Sequence, residues 1–363
     1  MTDRGGAAHP VVELTAARLR EFLREPEAVF WVFIFPILLA CALGIAFRTK
    51  TDQPVYVGVE QTPGEAPRAA AAPGSASGDA GRLLAALQAA RGIEARPVPP
   101  SRVDIALRDG EVQLVVKPGV PPVYRYDPSR TESRLARLAV DEALQAAAGR
   151  RDAWRARSET VVLPGSRYID WLIPGLLGMN IMGTGLWGIG FSIVQARTRK
   201  LLKRFLATPM VRSQYLLAHL LARLAFLALE VSALMVFAWL VFRVPMRGSL
   251  AAFVAVALLG ALSFGGLGLL LASRARTIEG VSGLMNFAML PMWVLSGVFF
   301  SSANFPAVMQ PVIHALPLTA LNDGLRGVML DGRSLARLAP EILVLSAWGL
   351  TCFGVALRIF RWR

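Results

Sequence analysis

Six stretches of the chain are apolar and free, or nearly free, of charge: 28–47, 171–194, 220–242, 249–273, 280–301 and 342–357. A helix rises 1.5 Å per residue, so about 20 apolar residues cross the hydrocarbon core of a bilayer. The first five runs meet that length. The sixth is charge-free for only 16 residues and needs extension at both ends. The pattern predicts an α-helical polytopic membrane protein with six transmembrane helices and both termini on one side. A small α/β extracytoplasmic domain is inserted after the first helix.

The intervening segments read differently. Residues 1–27 include VVELTAARLREFLREP (11–26), whose Val11, Leu14, Leu19 and Phe22 oppose arginines. This predicts an N-terminal interfacial helix on the cytoplasmic leaflet. The first span covers 28–47, and 48–167 form the soluble insert. Within the insert, PVYVGVE, IEARPV, EVQLVVKP and PPVYRY read as strands. GRLLAALQAAR, SRVDIALRDG and a longer segment opening on a Ser/Thr cap read as helices. Strands alternating with helices make a small α/β unit. Its Asp104, Asp109 and Glu111 fit a solvated surface rather than a metal site. Residues 168–363 hold the other five spans and, at 303–332, an apolar segment broken by Pro306, Pro311 and Pro317. Each interior proline removes a helical hydrogen bond, so two short re-entrant helices fit better than one straight span.

Composition agrees with a membrane protein. The chain is 54% hydrophobic and 18% charged, with mean hydropathy +0.48, against about 25% charge in soluble domains. The net charge of +14 does not point to nucleic acid, because much of the excess flanks apolar runs. With the N-terminus inside, the short inner segments carry 15 Lys and Arg and the outer ones 5, which predicts cytoplasmic N- and C-termini. Cys41 and Cys352 lie inside apolar runs and build no disulfide framework. The three histidines show no metal spacing, and no Gly-Lys pair occurs, so there is no P-loop. No catalytic or metal site is expected, and no cleavable signal peptide is evident.

The densest cationic segment, QARTRKLLKRFLATPM (195–210), lies between two apolar runs. Leu201, Leu202, Phe205 and Leu206 recur at helical spacing, with Lys200, Lys203 and Arg204 on the other sides. This predicts a short amphipathic helix ended by Thr208-Pro209. Such a helix either lies on anionic membrane lipid or seats in a groove of a partner protein; topology leaves both open. Inside the spans, Glu230 is a lone acid, with Arg223 seven residues earlier on the same helical face. It is read as a pathway or interface residue, or as a structural contact between helices. Asn180 and Asn286 carry the same two readings. Runs such as Gly183/Gly185/Gly188/Gly190 and Gly260/Gly265/Gly266/Gly268 read as close helix packing.

These residues, taken in order, resemble a known family. RKLLKRFLATPMVRSQYLLAHLLARL (199–224) is similar to the cytoplasmic loop and following span of ABC-2 type transporter permeases. REPEAVFWVFIFPILL (24–39) and WLIPGLLGMNIM (171–182) resemble the starts of the first two spans in that family. LSGVFFSSANFPAVMQPVIHALPLTALNDGLRGVMLDG (295–332) resembles its fifth span and re-entrant region, and DPSRTESRLA (127–136) the extracytoplasmic domain of one subgroup. The resemblance implies the permease subunit of a bacterial exporter or efflux system in the cytoplasmic (inner) membrane, working with a second permease subunit as homodimer or related heterodimer. It implies that ATP and Mg are bound by a separate ABC ATPase subunit and that this chain binds no cofactor. It makes 197–207 a coupling helix, with Arg199, Lys200, Leu201, Leu202, Lys203, Arg204 and Phe205 facing the ATPase. The chain departs from many members in having Gln195 and Ala196 where they carry acids, and no Gly-Thr pair in the helix. Two other classes stand beside this one: a channel or ion-driven carrier, and a membrane-anchored extracytoplasmic binding protein.

Overall fold

The computed structural model describes residues 24–47, 54–61, 76–151, 165–198, 212–275 and 277–359, with a few isolated positions besides. The chain forms two compact units: 1–49 with 161–363, and 50–160. The expected interfacial helix at 11–26 lies almost wholly outside the described residues.

The helical unit begins with a turn, Pro26–Val29, a π turn, Phe30–Ile34, and then α1 (Phe35–Ala46). The first apolar run is therefore helical but not uniform.

In the 50–160 unit, β1 (Val55–Glu60), α2 (Ala76–Ala89), β2 (Ile93–Val98), α3 (Val103–Arg108), β3 (Leu114–Lys117), β4 (Val123–Arg125) and α4 (Thr131–Ala147) follow in order. The sheet order is β2-β1-β3-β4, with β1 parallel to both neighbours and β4 antiparallel to β3. Alternation along the strands sorts side chains to two faces. Val57, Val59, Leu114 and Val116 pack with Leu87, Ala136 and Val140 on one face. Val98 and Val115 pack with Val103 and Ala106 on the other. The 50–160 unit is α/β, and its strands lie close to the segments that read as strands in the sequence. The Ser/Thr cap of α4 does not form: its N-cap is Arg130, without a side-chain bond. The Ser129 hydroxyl is instead donated to Asp127 Oδ1 at 2.6 Å. Arg130 turns away to donate to the carbonyls of Leu107 and Arg108 at the end of α3, where helical donors have run out.

The helical unit continues with α5 (Tyr168–Thr198), α6 (Arg212–Phe237, carried on by a π turn Ala238–Phe242), α7 (Leu250–Arg274) and α8 (Ile278–Leu295). Then come α9 (Gln310–Ala315), α10 (Pro317–Met329) and α11 (Ala339–Ile359). Among the described residues, five helices are long and apolar enough to cross a membrane, and Phe30–Ala46 is a shorter apolar helix. The chain is thus an α-helical polytopic membrane protein.

The sixth apolar run is extended at both ends, as its length required. The fifth helix is shorter than its apolar run: it stops at Leu295, because Gly297 takes φ 68° and turns the chain. Val298 and Phe299 keep the run apolar while being turn residues packed on the core. The proline-broken segment holds two short helices, α9 and α10, meeting at Leu316, whose extended backbone fits the following proline.

α5 is the central helix, in contact with α1, α6, α7, α8 and α10. Its 31 residues span about 46 Å, more than the ~30 Å apolar thickness of a bilayer. Against α7 it comes backbone to backbone: a Cβ on Gly268 would stand 2.9 Å from the Leu186 carbonyl oxygen.

Candidate functional site

The polar groups inside the helical unit gather at three levels along α5. Each sits where a helix has a backbone carbonyl without its usual donor, or a charge without water.

At one end, Arg167 forks onto Asp170, Nε to Oδ2 at 3.0 Å and Nη2 to Oδ1 at 2.7 Å. The Asp170 side chain is fully buried. These bonds push the Arg167 pKa above its ordinary value. The same Nη2 donates to the Phe242 carbonyl at 2.8 Å, where the chain leaves its helix through Arg243 at φ 55°.

Beside this lies the α10 contact. Asn322 donates to the Ser296 carbonyl at 2.9 Å, and Gly178 leaves room for its Oδ1, which a Cβ there would strike. Arg326, 12% exposed in its side chain, donates from Nε to the Trp171 carbonyl at 3.3 Å and from Nη2 to that of Gly297. Its guanidinium lies 3.7 Å from the Trp171 ring centroid, and Asp323 stands 3.8 Å away. α10 is therefore fastened to the start of α5 and the turn after α8. Sequence reasoning counted Arg326 as an outer-loop charge. The available signal was its spacing of four from Asn322, which puts both on one face of a short helix.

At mid-length, Asn180 donates to the Val32 carbonyl at 3.0 Å. In an α-helix that carbonyl would be served by the N–H of residue 36, and residue 36 is proline. One turn on, Arg223 Nη2 donates to the Thr184 hydroxyl at 2.9 Å. The single hydroxyl proton is shared between Glu230 Oε1 at 3.0 Å and the Asn180 carbonyl at 2.9 Å. Arg223 Nη1 lies 3.6 Å from Glu230 Oε1, so the helical face that aligned them brings them into contact. Glu230 Oε2 and Arg223 Nε have no partner among the described residues. Asn180 and Glu230 thus join one polar seam between the Phe30–Ile34 turn, α5 and α6.

Asn286 is elsewhere. It stands on the exposed side of α8 with Phe287, Leu290 and Val294, opposite the buried Met285 and Met289.

At the other end of α5, Arg197 and Thr198 form the last turn of the helix. Of the expected coupling helix 197–207, residues 197 and 198 are the end of α5. Arg197 Nη1 donates to the carbonyls of Ala275 at 2.8 Å and Ala272 at 3.3 Å, at the close of α7. Arg199, Lys200, Leu201, Leu202, Lys203, Arg204 and Phe205 lie outside the described residues.

Comparison with known proteins gives this arrangement a family. The chain is 29% identical over 188 residues to the probable multidrug ABC transporter permease YbhS of Escherichia coli (strain K12), covering 51% of this chain and 49% of that protein. It is 26% identical over 166 residues to the inner membrane transport permease YadH of the same strain, covering 45% of this chain and 63% of that one. With ABC transporter G family member 20 of Dictyostelium discoideum it shares 25% over 171 residues, 47% of this chain and 23% of that protein. The chain thus spans about half to two thirds of the bacterial relatives. Residues 143–330, more than half of the chain and including α5 to α10, match the ABC-2 type transporter family, and the chain belongs to that family.

Proposed function

We propose that this chain is the membrane permease subunit of an ATP-driven exporter, coupled through its 199–211 segment to a separate ATPase that binds ATP and Mg. The carrying observation is the joint between α5 and α6. α5 runs unbroken to Thr198 and α6 resumes at Arg212, so the most cationic stretch of the sequence links the central helix to its neighbour. The absence of a P-loop from the sequence fits an energy source on another subunit.

In this reading the helix through Phe30–Ala46 is the sixth span, both termini are cytoplasmic, and the 50–160 unit lies outside. The 15-to-5 distribution of Lys and Arg in the short loops supports that orientation. The membrane is the bacterial inner one, as the name of the YadH relative suggests. A second permease subunit completes the pathway; the exposed α8 face bearing Asn286 supports this, since an amide facing lipid gains from a partner. The word multidrug in the name of the YbhS relative makes apolar drug-like compounds the first cargo class to test.

The test is Phe205→Asp. The apolar side of the segment carries docking, and its cations set register. The variant is expected to insert normally but no longer to co-purify with the partner ATPase, and the drug resistance conferred by the pair to be lost. Normal capture of the ATPase and full resistance by Phe205→Asp would refute the assignment.

A further inference from the structure

Arg197 closes the inner end of α5 onto α7. The carbonyls it reaches are that of Ala272, in the last turn of α7, and that of Ala275, just past its end, where intrahelical donors are missing and the dipole is negative. Both residues are buried, so the bonds are shielded from water. Val194, Ala272, Ala275, Val281 and Met285 form a separate apolar cluster at this end. Further along, Gly268 brings the two backbones into contact.

α6 is held differently. Between Leu221 and Phe242 only 28% of it is buried, against 56% for Tyr168–Gln195 of α5 and for α7. Its polar tie to α5 at mid-length is the Thr184 hydroxyl between Arg223 and Glu230.

We infer that Arg197 is a positioning residue for coupling: it makes the inner ends of α5 and α7 one body, so that displacement of the 199–211 segment is taken up by α6. This rests on the coupling reading above. A push on a chain segment moves whichever end is less firmly held, and the α5 end is tied by charge-assisted bonds and close packing. The permease then has a fixed block of α5 and α7 and a moving α6.

The test uses the full chain in lipid nanodiscs, with Cys41→Ala and Cys352→Ala, and spin labels on Thr198→Cys paired with Arg274→Cys or Leu221→Cys. These are exposed positions on α5, α7 and α6. In the chain alone, Arg197→Ala broadens the 198–274 distance distribution, and Arg197→Lys, which keeps the charge and a single donating nitrogen on a shorter reach, broadens it less. An unchanged 198–274 distribution in both variants overturns the clamp. In the complex with the ATPase, vanadate-trapped nucleotide shifts the 198–221 distance and leaves 198–274 fixed; in Arg197→Ala the shift spreads to 198–274. A wild-type shift at 198–274 as large as at 198–221 overturns the assignment of movement to α6. A complex in which nucleotide moves neither pair overturns that assignment and the coupling reading together, whereas the arm without ATPase judges the clamp by itself.

Discussion

Replacing Arg326 tests whether α10 is a fastened part of the bundle. The side chain is 12% exposed and gives two charge-assisted bonds to carbonyls, those of Trp171 and Gly297. Such bonds contribute about 1.5–3 kcal/mol each, and a partly desolvated cation over an indole adds about 1–2 kcal/mol. Against this, removing the cation recovers its desolvation cost. Arg326→Ala is therefore expected to destabilise by about 4 kcal/mol, and Arg326→Lys, which keeps the charge but cannot fork, by about 2 kcal/mol. For a body of this size about 2–4 °C accompanies each kcal/mol, so the alanine variant should melt roughly 10 °C earlier. Thermal unfolding in detergent, followed by tryptophan emission, reads both the midpoint and the loss of the cation from Trp171. Arg337→Ala, at an exposed position, is the control. If Arg326→Ala melts no earlier than Arg337→Ala, the side chain does not hold α10 in place.

Three further expectations follow from the same geometry. Glu230→Gln leaves Arg223 buried without its counter-charge and should cost about 3 kcal/mol, while Arg223→Leu combined with Glu230→Leu recovers most of it; melting of the three variants decides. Gly268→Ala sets a Cβ 2.9 Å from a backbone oxygen and should lower stability by about 1–3 kcal/mol, whereas Gly283→Ala, which meets nothing within 4 Å, should be neutral or slightly stabilising. In the 50–160 unit, burial and the bond donated to Asp141 push the Tyr124 pKa from 10.0 up to about 12. The folded state then holds the phenol proton more tightly than the unfolded one. This stability is complete below pH 10 and is lost as pH rises from 10 towards about 12. Tyr124→Phe should flatten that part of the pH–stability curve, and an unchanged slope would refute it.

The spans were legible because a bilayer demands some 20 apolar residues in a row, a pattern few other structures produce. Glu230 was legible for the same reason, as an acid where water is absent, and its spacing from Arg223 anticipated the 3.6 Å approach. Its second partner, Thr184, was not, since a hydroxyl in a helix normally bonds its own backbone and gives no sign of a neighbour. The bond from Asn180 to Val32 was hidden too, because a carbonyl 148 positions away leaves no mark in the local pattern. The packing of Arg326 was not legible from the loop count in which it figured. Loop arithmetic counts a charge without asking whether a short helix folds it back against Gly175 and Trp171. The end of the fifth span was missed because Gly297 turns the chain while the residues after it stay apolar. For the cationic segment, composition indicates chemistry and the described structure supplies only its two anchors, Thr198 and Arg212.

The proline in the first helix also sets a timetable for biogenesis. Val32 leaves the ribosome long before Asn180, and at about 5–20 residues per second the 148-residue gap lasts roughly 7–30 s. Through that interval the carbonyls ahead of Pro36 have only the local π turn at Phe30–Ile34 to serve them, and the bond from Asn180 is still to come. The first helix is therefore expected to be held less firmly in a chain stopped before residue 180 than in the full chain.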